Sequence, residues 1–386
     1  MALKDVVKDI EGYREIRTEI EILKKYGVDY TAHRGVVDGI ISSLHPKKVR
    51  LRVSEIRQET NSTKTFRTVA QDGFLPPFQA GQYINVFVDA GGVRTSRPYS
   101  ISSSPTQLGY YDITVRSMED GFVSSYFLEE VKVGDSFEST APSGNFCHNP
   151  LFHGEDLVFL AGGSGITPFM SMIREVADRG LSRRIHLIYG SRDQDDVIFH
   201  DELKEITGRH GNIALSIVIS DPSEGYQGVT GFITAELIKD VLGDLSGKMF
   251  YLCGPDVMYS FCLKELEKLG IKKRKIRTEV YGPPKDITRQ PGWPGDIGRE
   301  KMFMVRLKGG RNIQAKASEP LMVSLERAGL PIPALCRSGE CSLCRTKLLS
   351  GRVFQPDGVR LRKSDRVFGY IHPCMAYPLS DLEILL

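Results

Sequence analysis

Four cysteines carry the most specific chemistry in this chain of 386 residues. Three stand in Cys336-Arg-Ser-Gly-Glu-Cys341-Ser-Leu-Cys344, and Cys374 follows after 29 intervening residues. The spacing C-x4-C-x2-C…C is that of plant-type [2Fe–2S] ligation, in which four thiolates hold the iron. A tight loop would turn three sulfurs to one side, and Gly339 is expected to relieve crowding where backbone amides approach the sulfide. A mononuclear zinc site is the competing reading, although zinc ribbons usually pair two C-x2-C knuckles and only one is present here. Buried or disulfide-bonded cysteines are the remaining alternative, and nothing marks the chain for an oxidising compartment. An iron–sulfur centre makes no bonds in a substrate. It holds one electron at a time, so the rest of the chain must say where electrons come from.

Composition sets the frame for that question. Hydrophobic residues at 41% and charged residues at 26% describe a soluble globular protein, and the length predicts about two to three domains. No apolar stretch approaches the ~18 residues of a membrane span, and no N-terminal apolar region resembles a signal peptide. The expected compartment is the cytoplasm, where Cys147, Cys253 and Cys262 would stay reduced. The net charge of +3 conceals an uneven distribution. Residues 301–386 carry 14 Lys/Arg against 7 Asp/Glu, a surplus of +7. These basic residues do not interleave with aromatics along one element, so a nucleic-acid partner is not expected.

The elements that must position the cysteines and their electron source follow from periodicity. Leu3, Val6, Ile10, Tyr13, Ile16, Ile20 and Leu23 recur at spacings of three and four, predicting an amphipathic helix over 2–26. A second helix is predicted near 34–43, after the Gly27 break. The pair reads as a helical extension, packed on its own protein or serving as a docking handle. From Val49 the pattern alternates: Val49–Val53, Tyr83–Val88 and Asp112–Val115, with turns at Asp72-Gly73, Ala80-Gly81 and Gly91-Gly92, predict a small antiparallel barrel over 47–150. Within it lie Arg97-Pro98-Tyr99-Ser100 and Gly121-Phe122-Val123-Ser124. Arginine offers a donor fork suited to phosphate, and a short helix over Val123–Glu130 would aim free N–H groups at a pyrophosphate.

The apolar strand Asp156–Ala161 runs into Gly162-Gly163-Ser164-Gly165-Ile166-Thr167-Pro168 and then a helix. This is the strand–glycine turn–helix geometry that brings backbone close to a dinucleotide. Further strands at Ile185–Tyr189, Ile213–Ser220 and Met249–Cys253 predict a parallel α/β domain over 151–282. Ligands would then gather at the carboxyl ends of its strands, at Gly162, Ser191, Ser220 and Cys253. A proline-stiffened linker is expected over 283–300, and a compact α+β unit over 301–386.

Taken together, these motifs resemble the ferredoxin–NADP reductase superfamily, in its FAD-containing oxygenase-reductase type with a C-terminal plant-type [2Fe–2S] domain. The resemblance covers 47–386. It implies a multidomain fold: an antiparallel β-barrel flavin domain, an α/β parallel-sheet nucleotide domain and an α+β, β-grasp-like ferredoxin domain behind an N-terminal helical extension. By the match to the family's R-x-Y-[ST] motif, Arg97 holds a flavin phosphate, Tyr99 stacks on the isoalloxazine and Ser100 approaches its N5. Thr114, Val115 and Arg116 are further expected cofactor-binding positions, and Gly121–Ser124 match the pyrophosphate segment of FAD-containing members. Gly162–Pro168 and Cys253-Gly254-Pro255 match the pyridine-nucleotide motifs, the latter lying beside the nicotinamide. Glu279-Val-Tyr281 resembles the acidic–aromatic end of the reductase module. Ser342-Leu343 departs from the smaller residues common between the second and third cysteines, which questions packing there, not ligation.

The implied activity is NADH-dependent reduction of FAD, transfer to the [2Fe–2S] cluster held by Cys336, Cys341, Cys344 and Cys374, and delivery to a downstream redox protein such as an oxygenase. Tyr99, Ser100 and Cys253 are the expected catalytic positions, Cys253 shaping the stacking site instead of attacking as a nucleophile. Two alternatives stay open: a non-catalytic electron-transfer subunit of a larger flavoenzyme, and a ferredoxin–NAD reductase running in the opposite direction. NADH is expected over NADPH because Ser220-Asp221-Pro222 stands where NADP-specific members place a Ser-Arg pair. A carboxylate there repels a 2′-phosphate and can accept hydrogen bonds from ribose hydroxyls. Arg192 is the counter-argument, with Ser191 beside it, and is expected to pair locally with Asp193, Asp195 or Asp196. Finally, the basic surplus of the ferredoxin domain predicts an acidic patch on its acceptor.

Overall fold

The computed structural model describes residues 12–27, 35–44 and 46–386. The chain divides into two compact units, Met1–Lys47 and Lys48–Leu386. The first contains helices α1 (Tyr13–Tyr26) and α2 (Val36–Leu44). Glu15 in the first turn of α1 and Lys24 and Lys25 in the last complement the helix dipole, and Gly27 ends it by donating its N–H to Leu23 O at 2.8 Å. Ile16, Ile20 and Leu23 form an exposed stripe, and no residue of α1 is buried. The part of the expected helix that includes Leu3, Val6 and Ile10 lies outside the described residues.

In the second unit, a six-stranded antiparallel sheet is built from β1 (Val49–Thr60), β2 (Thr63–Ala70), β3 (Tyr83–Ala90), β4 (Val93–Ser100), β5 (Tyr111–Arg116) and β6 (Ser136–Ser139). Its order is β4-β3-β6-β1-β2-β5, and an isolated bridge between Ile101 and Ile113 draws β4 and β5 together into a half-barrel. The alternation read from the sequence is what fills it: Leu51, Val53, Ile84, Val86 and Ile113 point inward with no measurable exposure. Helix α3 (Phe122–Glu129) caps the half-barrel through Phe127, whose ring meets Phe66, Tyr99 and Phe137 edge-on at 5.2, 5.6 and 5.7 Å. Truncating so central a ring costs about 3–5 kcal/mol.

The next sheet is wholly parallel. Its strands are β7 (Asp156–Gly162), β8 (Arg184–Ser191), β9 (Ile213–Ile219), β10 (Val229–Thr230), β11 (Met249–Cys253) and β12 (Ile276–Glu279), with helices α4 (Ile166–Arg179), α5 (His200–Arg209), α6 (Ala235–Leu242) and α7 (Asp256–Lys268) between them. The order β10-β9-β8-β7-β11-β12 reverses direction between β7 and β11. That switch point opens a crevice at the strands' carboxyl ends. Leu157–Ala161 is buried along its whole length, as a strand covered on both faces must be.

The last sheet has the order β14-β13-β19-β15-β17, from β13 (Met302–Leu307), β14 (Asn312–Lys316), β15 (Thr346–Ser350), β17 (Tyr370–Ile371) and β19 (Leu382–Leu385). A short β16 (Val353–Phe354) pairs with β18 (Tyr377–Pro378), and helices α8 (Leu321–Arg327) and α9 (Lys363–Val367) complete the α+β unit. The segment 283–300 is no free spacer. Ile287 and Ile297 are buried, and Trp293 sits edge-on to Phe354 and Tyr377 at 5.4 and 6.3 Å. Among the described residues no helix is long and apolar enough to cross a membrane.

Candidate functional site

A cleft of about 680 Å³ runs between the half-barrel, the glycine turn after β7 and the ferredoxin unit. Strand β4 contributes Arg97, Pro98, Tyr99 and Ser100, β5 contributes Thr114 and Arg116, and the start of α3 contributes Gly121–Ser124. Arg97 is half-buried and forms no ion pair among the described residues. Its Nη1 donates to Thr95 Oγ1 at 2.9 Å and to Ser96 O at 2.7 Å, both neutral acceptors. Burial, followed by the nearby Arg337 charge, pulls its pKa down to about 10. A guanidinium held this way favours an anion in the cleft. Helix α3 begins at Gly121 with no side-chain cap, so its first N–H groups face the same space as free donors. These features fit a flavin dinucleotide.

Not every expected flavin residue points into the cleft. Val115 is buried in the half-barrel core, which leaves only its backbone for a ligand. Thr114 Oγ1 is engaged by Thr65 at 2.9 Å and Ser102 at 3.0 Å. Arg116 ion-pairs with Asp196 of the nucleotide domain, whose carboxylate also accepts from Thr60 and Ser62 at 2.7 Å. That arginine therefore joins two domains as well as lining the cleft.

At the nucleotide end, Ser164 and Thr167 reach the cleft. Gly162, Gly163 and Gly165 carry the turn, and Pro168 is buried in α4. A Cβ on Gly165 would collide with the Cys253 carbonyl, so glycine is needed for the ends of β7 and β11 to close on each other. Cys253 is fully buried, and burial pushes its thiol pKa well up, with Glu279 adding to the shift. It is a neutral thiol, unsuited to nucleophilic attack. Gly254 N donates to Tyr259 OH at 3.2 Å, and Pro255 caps α7. Ser191 Oγ donates to Asp196 O at 3.1 Å. Arg192 and Asp221 lie at the ends of β8 and β9, outside the cleft, and pair with each other at 3.5 Å while both stay exposed. Ser220 N beside them donates to Ser191 O at 3.0 Å. The sequence pointed to Asp193, Asp195 or Asp196 as the partner of Arg192. Parallel pairing of β8 and β9 instead brings the two strand ends side by side, where Asp221 N donates to Arg192 O at 2.7 Å, and Asp196 is taken by Arg116.

The four expected metal cysteines come together as two pairs. Cys344 Sγ lies 3.5 Å from Cys374 Sγ, and Cys336 accepts from Cys341. Cys336 Sγ also accepts N–H groups from Ser338, Glu340 and Cys341 at 3.5, 3.4 and 3.3 Å. The Cys341 thiol hydrogen bond, then the Ser338 and Cys341 amides, hold the Cys336 thiol well below its ordinary pKa despite burial. Among the described residues no three His, Cys, Asp or Glu side chains converge on a single ion. Two thiol pairs, one already wrapped in amide donors, fit a dinuclear cluster better than a tetrahedral zinc site. Gly339 serves differently than expected. Its φ of +81° favours glycine, and a Cβ there would press on Met375 and Val359 at 3.1–3.2 Å, so the crowding it relieves is apolar packing beneath the loop. Leu343 is 53% exposed, so the departure at Ser342-Leu343 burdens no core.

The cleft is completed by residues to which the sequence motifs assigned another role or none. Tyr281 hydrogen-bonds Ser100 and lines the cleft between the flavin strand and Ser164. Cys374 forms part of the cleft wall, so one of the four expected metal cysteines shares the cleft with the flavin-motif residues. Beside it lies a buried ion pair: Arg337 donates to both Glu326 carboxylate oxygens at 2.7 and 2.9 Å, each residue about one-twentieth exposed. Thr95 of β4 donates to the same carboxylate at 2.9 Å, and Asn85 Nδ2 donates to Ala334 O at 2.8 Å. These contacts clamp the cysteine loop onto the half-barrel. The one trace in sequence was Glu326 on the apolar Leu321-Met-Val-Ser-Leu face of α8, a carboxylate where burial demands a partner.

Comparison with known proteins agrees with this arrangement. Models of three families match: the oxidoreductase FAD-binding domain over residues 50–148, the oxidoreductase NAD-binding domain over 159–264 and the 2Fe-2S iron-sulfur cluster binding domain over 305–379. NADH oxidoreductase HCR of Escherichia coli is 30% identical over 336 residues, covering 87% of this chain and 97% of that protein. The glycine betaine monooxygenase reductase subunit of Chromohalobacter salexigens is 28% identical over 348 residues, covering 86% and 94%. Among solved structures, phthalate dioxygenase reductase superposes with a TM-score of 0.66 at 25% identity, covering 88% of this chain and 97% of that one. With three domains in that order and a relative at 30% identity matched over almost its whole length, the chain belongs to the ferredoxin–NADP reductase superfamily, as an oxidoreductase with an FAD-binding domain, an NAD-binding domain and a C-terminal 2Fe-2S ferredoxin domain.

Proposed function

We propose that this chain oxidises NADH and hands the electrons one at a time to a separate redox protein of the oxygenase class. One observation carries the reading: a single cleft has the flavin-motif residues on one wall, the cluster ligand Cys374 on another, and Ser164 and Thr167 at its nucleotide end. FAD held by these residues would supply the chemistry that links a two-electron hydride donor to a one-electron cluster. The protein's own part is to bind, orient and exclude water. Arg97 neutralises phosphate, and the α3 N-terminus supports the pyrophosphate. Tyr99 supplies a flat ring, and Ser100, fixed by Tyr281, presents a hydroxyl to the reacting edge. Cys253, neutral and packed under the glycine turn, shapes the nicotinamide end. Hydride transfer itself needs no general acid or base.

The proposed division of labour is a helical extension over 1–46, the flavin domain over 47–150, the nucleotide domain over 151–282, the segment 283–300 and the ferredoxin domain over 301–386. The names of the relatives, reductase components of glycine betaine and ketosteroid monooxygenases, support an oxygenase as the acceptor. NADH is favoured over NADPH because the Arg192–Asp221 pair offers a 2′-phosphate a neutralised arginine beside a carboxylate. Residence in the cytoplasm suits seven cysteines free of disulfides. The test is an anaerobic titration of the holoprotein with NADH. Flavin absorption should bleach first, with the cluster bands following in the same titration. A flavin that reduces while the cluster stays oxidised would end the reading, and extraction of FMN in place of FAD would end the flavin assignment.

A further inference from the structure

The cysteine loop has an inner and an outer side. The inner side is clamped to the half-barrel through Asn85–Ala334 and Arg337–Glu326–Thr95. On the outer side, Val359 and Leu361 pack beside Cys344 and Cys374, Arg360 donates its N–H to Gly339 O at 2.9 Å, and the Arg360 guanidinium pairs with Glu340 at 3.3 Å. The chain then turns outward as α9. An electron that enters through the cleft has this outer side as its exit.

That exit is strongly and one-sidedly charged. Between Glu340 and Arg366 stand seven Lys/Arg against Glu340, Asp357 and Asp365, a local balance of 7 − 3 = +4 within a chain whose net charge is +3. Asp365 does not offset it outwardly, being buried and paired with Arg345 at 3.2 Å. Arg362, Lys363 and Arg366 are exposed and form no ion pair among the described residues. A merely solvated basic face would end in polar residues. This one ends in Val367 and Phe368, 72% and 62% exposed, with Leu343 53% exposed on the cysteine loop itself. Exposed aromatic and aliphatic residues beside unpaired cations have the composition of a protein interface, not of a phosphate-binding face.

We propose that the face formed by Leu343, Arg345 and the Arg362–Phe368 segment docks an acidic protein surface with an apolar centre, borne by the protein that takes the cluster's electron. It rests on the electron path proposed above and names the chemistry of the partner. The cations steer the encounter, and Val367 and Phe368 hold it once formed.

Two measurements test it. First, holoprotein reduced anaerobically with NADH is mixed with ferricyanide or with tris(bipyridine)cobalt(III). Each reaction moves one electron from the cluster to the complex, Fe(III) to Fe(II) or Co(III) to Co(II), with no proton. The rate constant for the anion should fall on the order of tenfold between about 20 and about 300 mM salt, while that for the cation rises. In the triple variant R362E/K363E/R366E the two trends should exchange, with bleaching of the flavin by NADH unchanged. Second, calorimetry should show poly-L-glutamate binding to the wild type and not to the triple variant. A glutamate–tyrosine copolymer should bind several-fold more tightly than polyglutamate, a gain lost in Phe368→Ser. Salt trends that are the same in wild type and triple variant, or tighter binding to duplex DNA or phosphatidylserine vesicles than to either polymer, would overturn the proposal. A cluster that NADH cannot reduce would instead fault the electron path, and polymer binding would still judge the surface.

Discussion

Cys253 and Cys336 are both buried thiols at a turn beside the same cleft, yet they are held in opposite states. Around Cys253 the neighbours are Tyr259, Tyr281 and the carboxyl of Glu279, so burial dominates and the thiol keeps its proton. Around Cys336 the loop aims three backbone N–H groups and the Cys341 thiol at one sulfur, and the pKa falls although the site is buried. Burial by itself does not decide what a cysteine can do. Directed donors do, and they come from a loop conformation that only its own sequence can hold, with Arg337 and Ser342 at φ of 53° and 59° and Gly339 at 81°.

The largest expected effect separates the two cysteines outright. Cys336→Ser should abolish the visible absorption and iron content of the cluster while NADH still bleaches the flavin. Cys253→Ser should leave the iron content intact and slow only flavin reduction. Equal loss of iron in both variants would break the comparison. Next in size is the clamp that holds the Cys336 loop in place. Glu326→Gln leaves Arg337 buried without its counter-charge and should destabilise the protein by about 3–5 kcal/mol in chemical denaturation. Thr95→Ala, which removes one hydrogen bond to the same carboxylate, should cost about 1 kcal/mol. A Glu326→Gln variant as stable as the wild type would mean that the clamp does not hold the loop.

A smaller effect concerns the nucleotide end. Asp221→Arg removes the partner of Arg192 and adds a second cation, which should shift the ratio of kcat/KM toward NADPH by about tenfold, near 1.4 kcal/mol. No shift in steady-state reduction of an artificial acceptor would remove Asp221 from nucleotide choice. The smallest effect lies between the two cysteines. Glu279 pairs in register with Cys253, and burial, then Glu340 and Cys336, push its carboxyl pKa up to about 8. Between the ordinary value of 4.5 and about 8 the folded state holds a proton that the unfolded state has lost. Stability should therefore decline as pH rises through that window, with the full penalty present above it. Glu279→Gln should flatten the decline in melting temperature between pH values of about 5 and 8, and an unaltered slope would assign it to other groups.

What the sequence determined by itself is what neighbouring residues settle among themselves. The cysteine loop, Arg97–Ser100, the uncapped start of α3 and the glycine turn after β7 are contiguous, and the chemistry of each follows from residue type and local backbone geometry. Alternation and apolar runs likewise specified the half-barrel and the parallel sheet, because period and burial are properties of single segments. Tertiary structure decided everything that depends on how those finished pieces dock. Ser100 meets Tyr281 across 181 residues and Thr95 meets Glu326 across 231. Parallel pairing of β8 and β9 brought their ends together, where Arg192 meets Asp221 and not its sequence neighbours, and Val115 was turned into the core by strand register. The wall that Cys374 gives the flavin cleft belongs to the same class. Periodicity holds no information about such contacts, since they arise from the fit of two surfaces, each of which is complete before the other arrives.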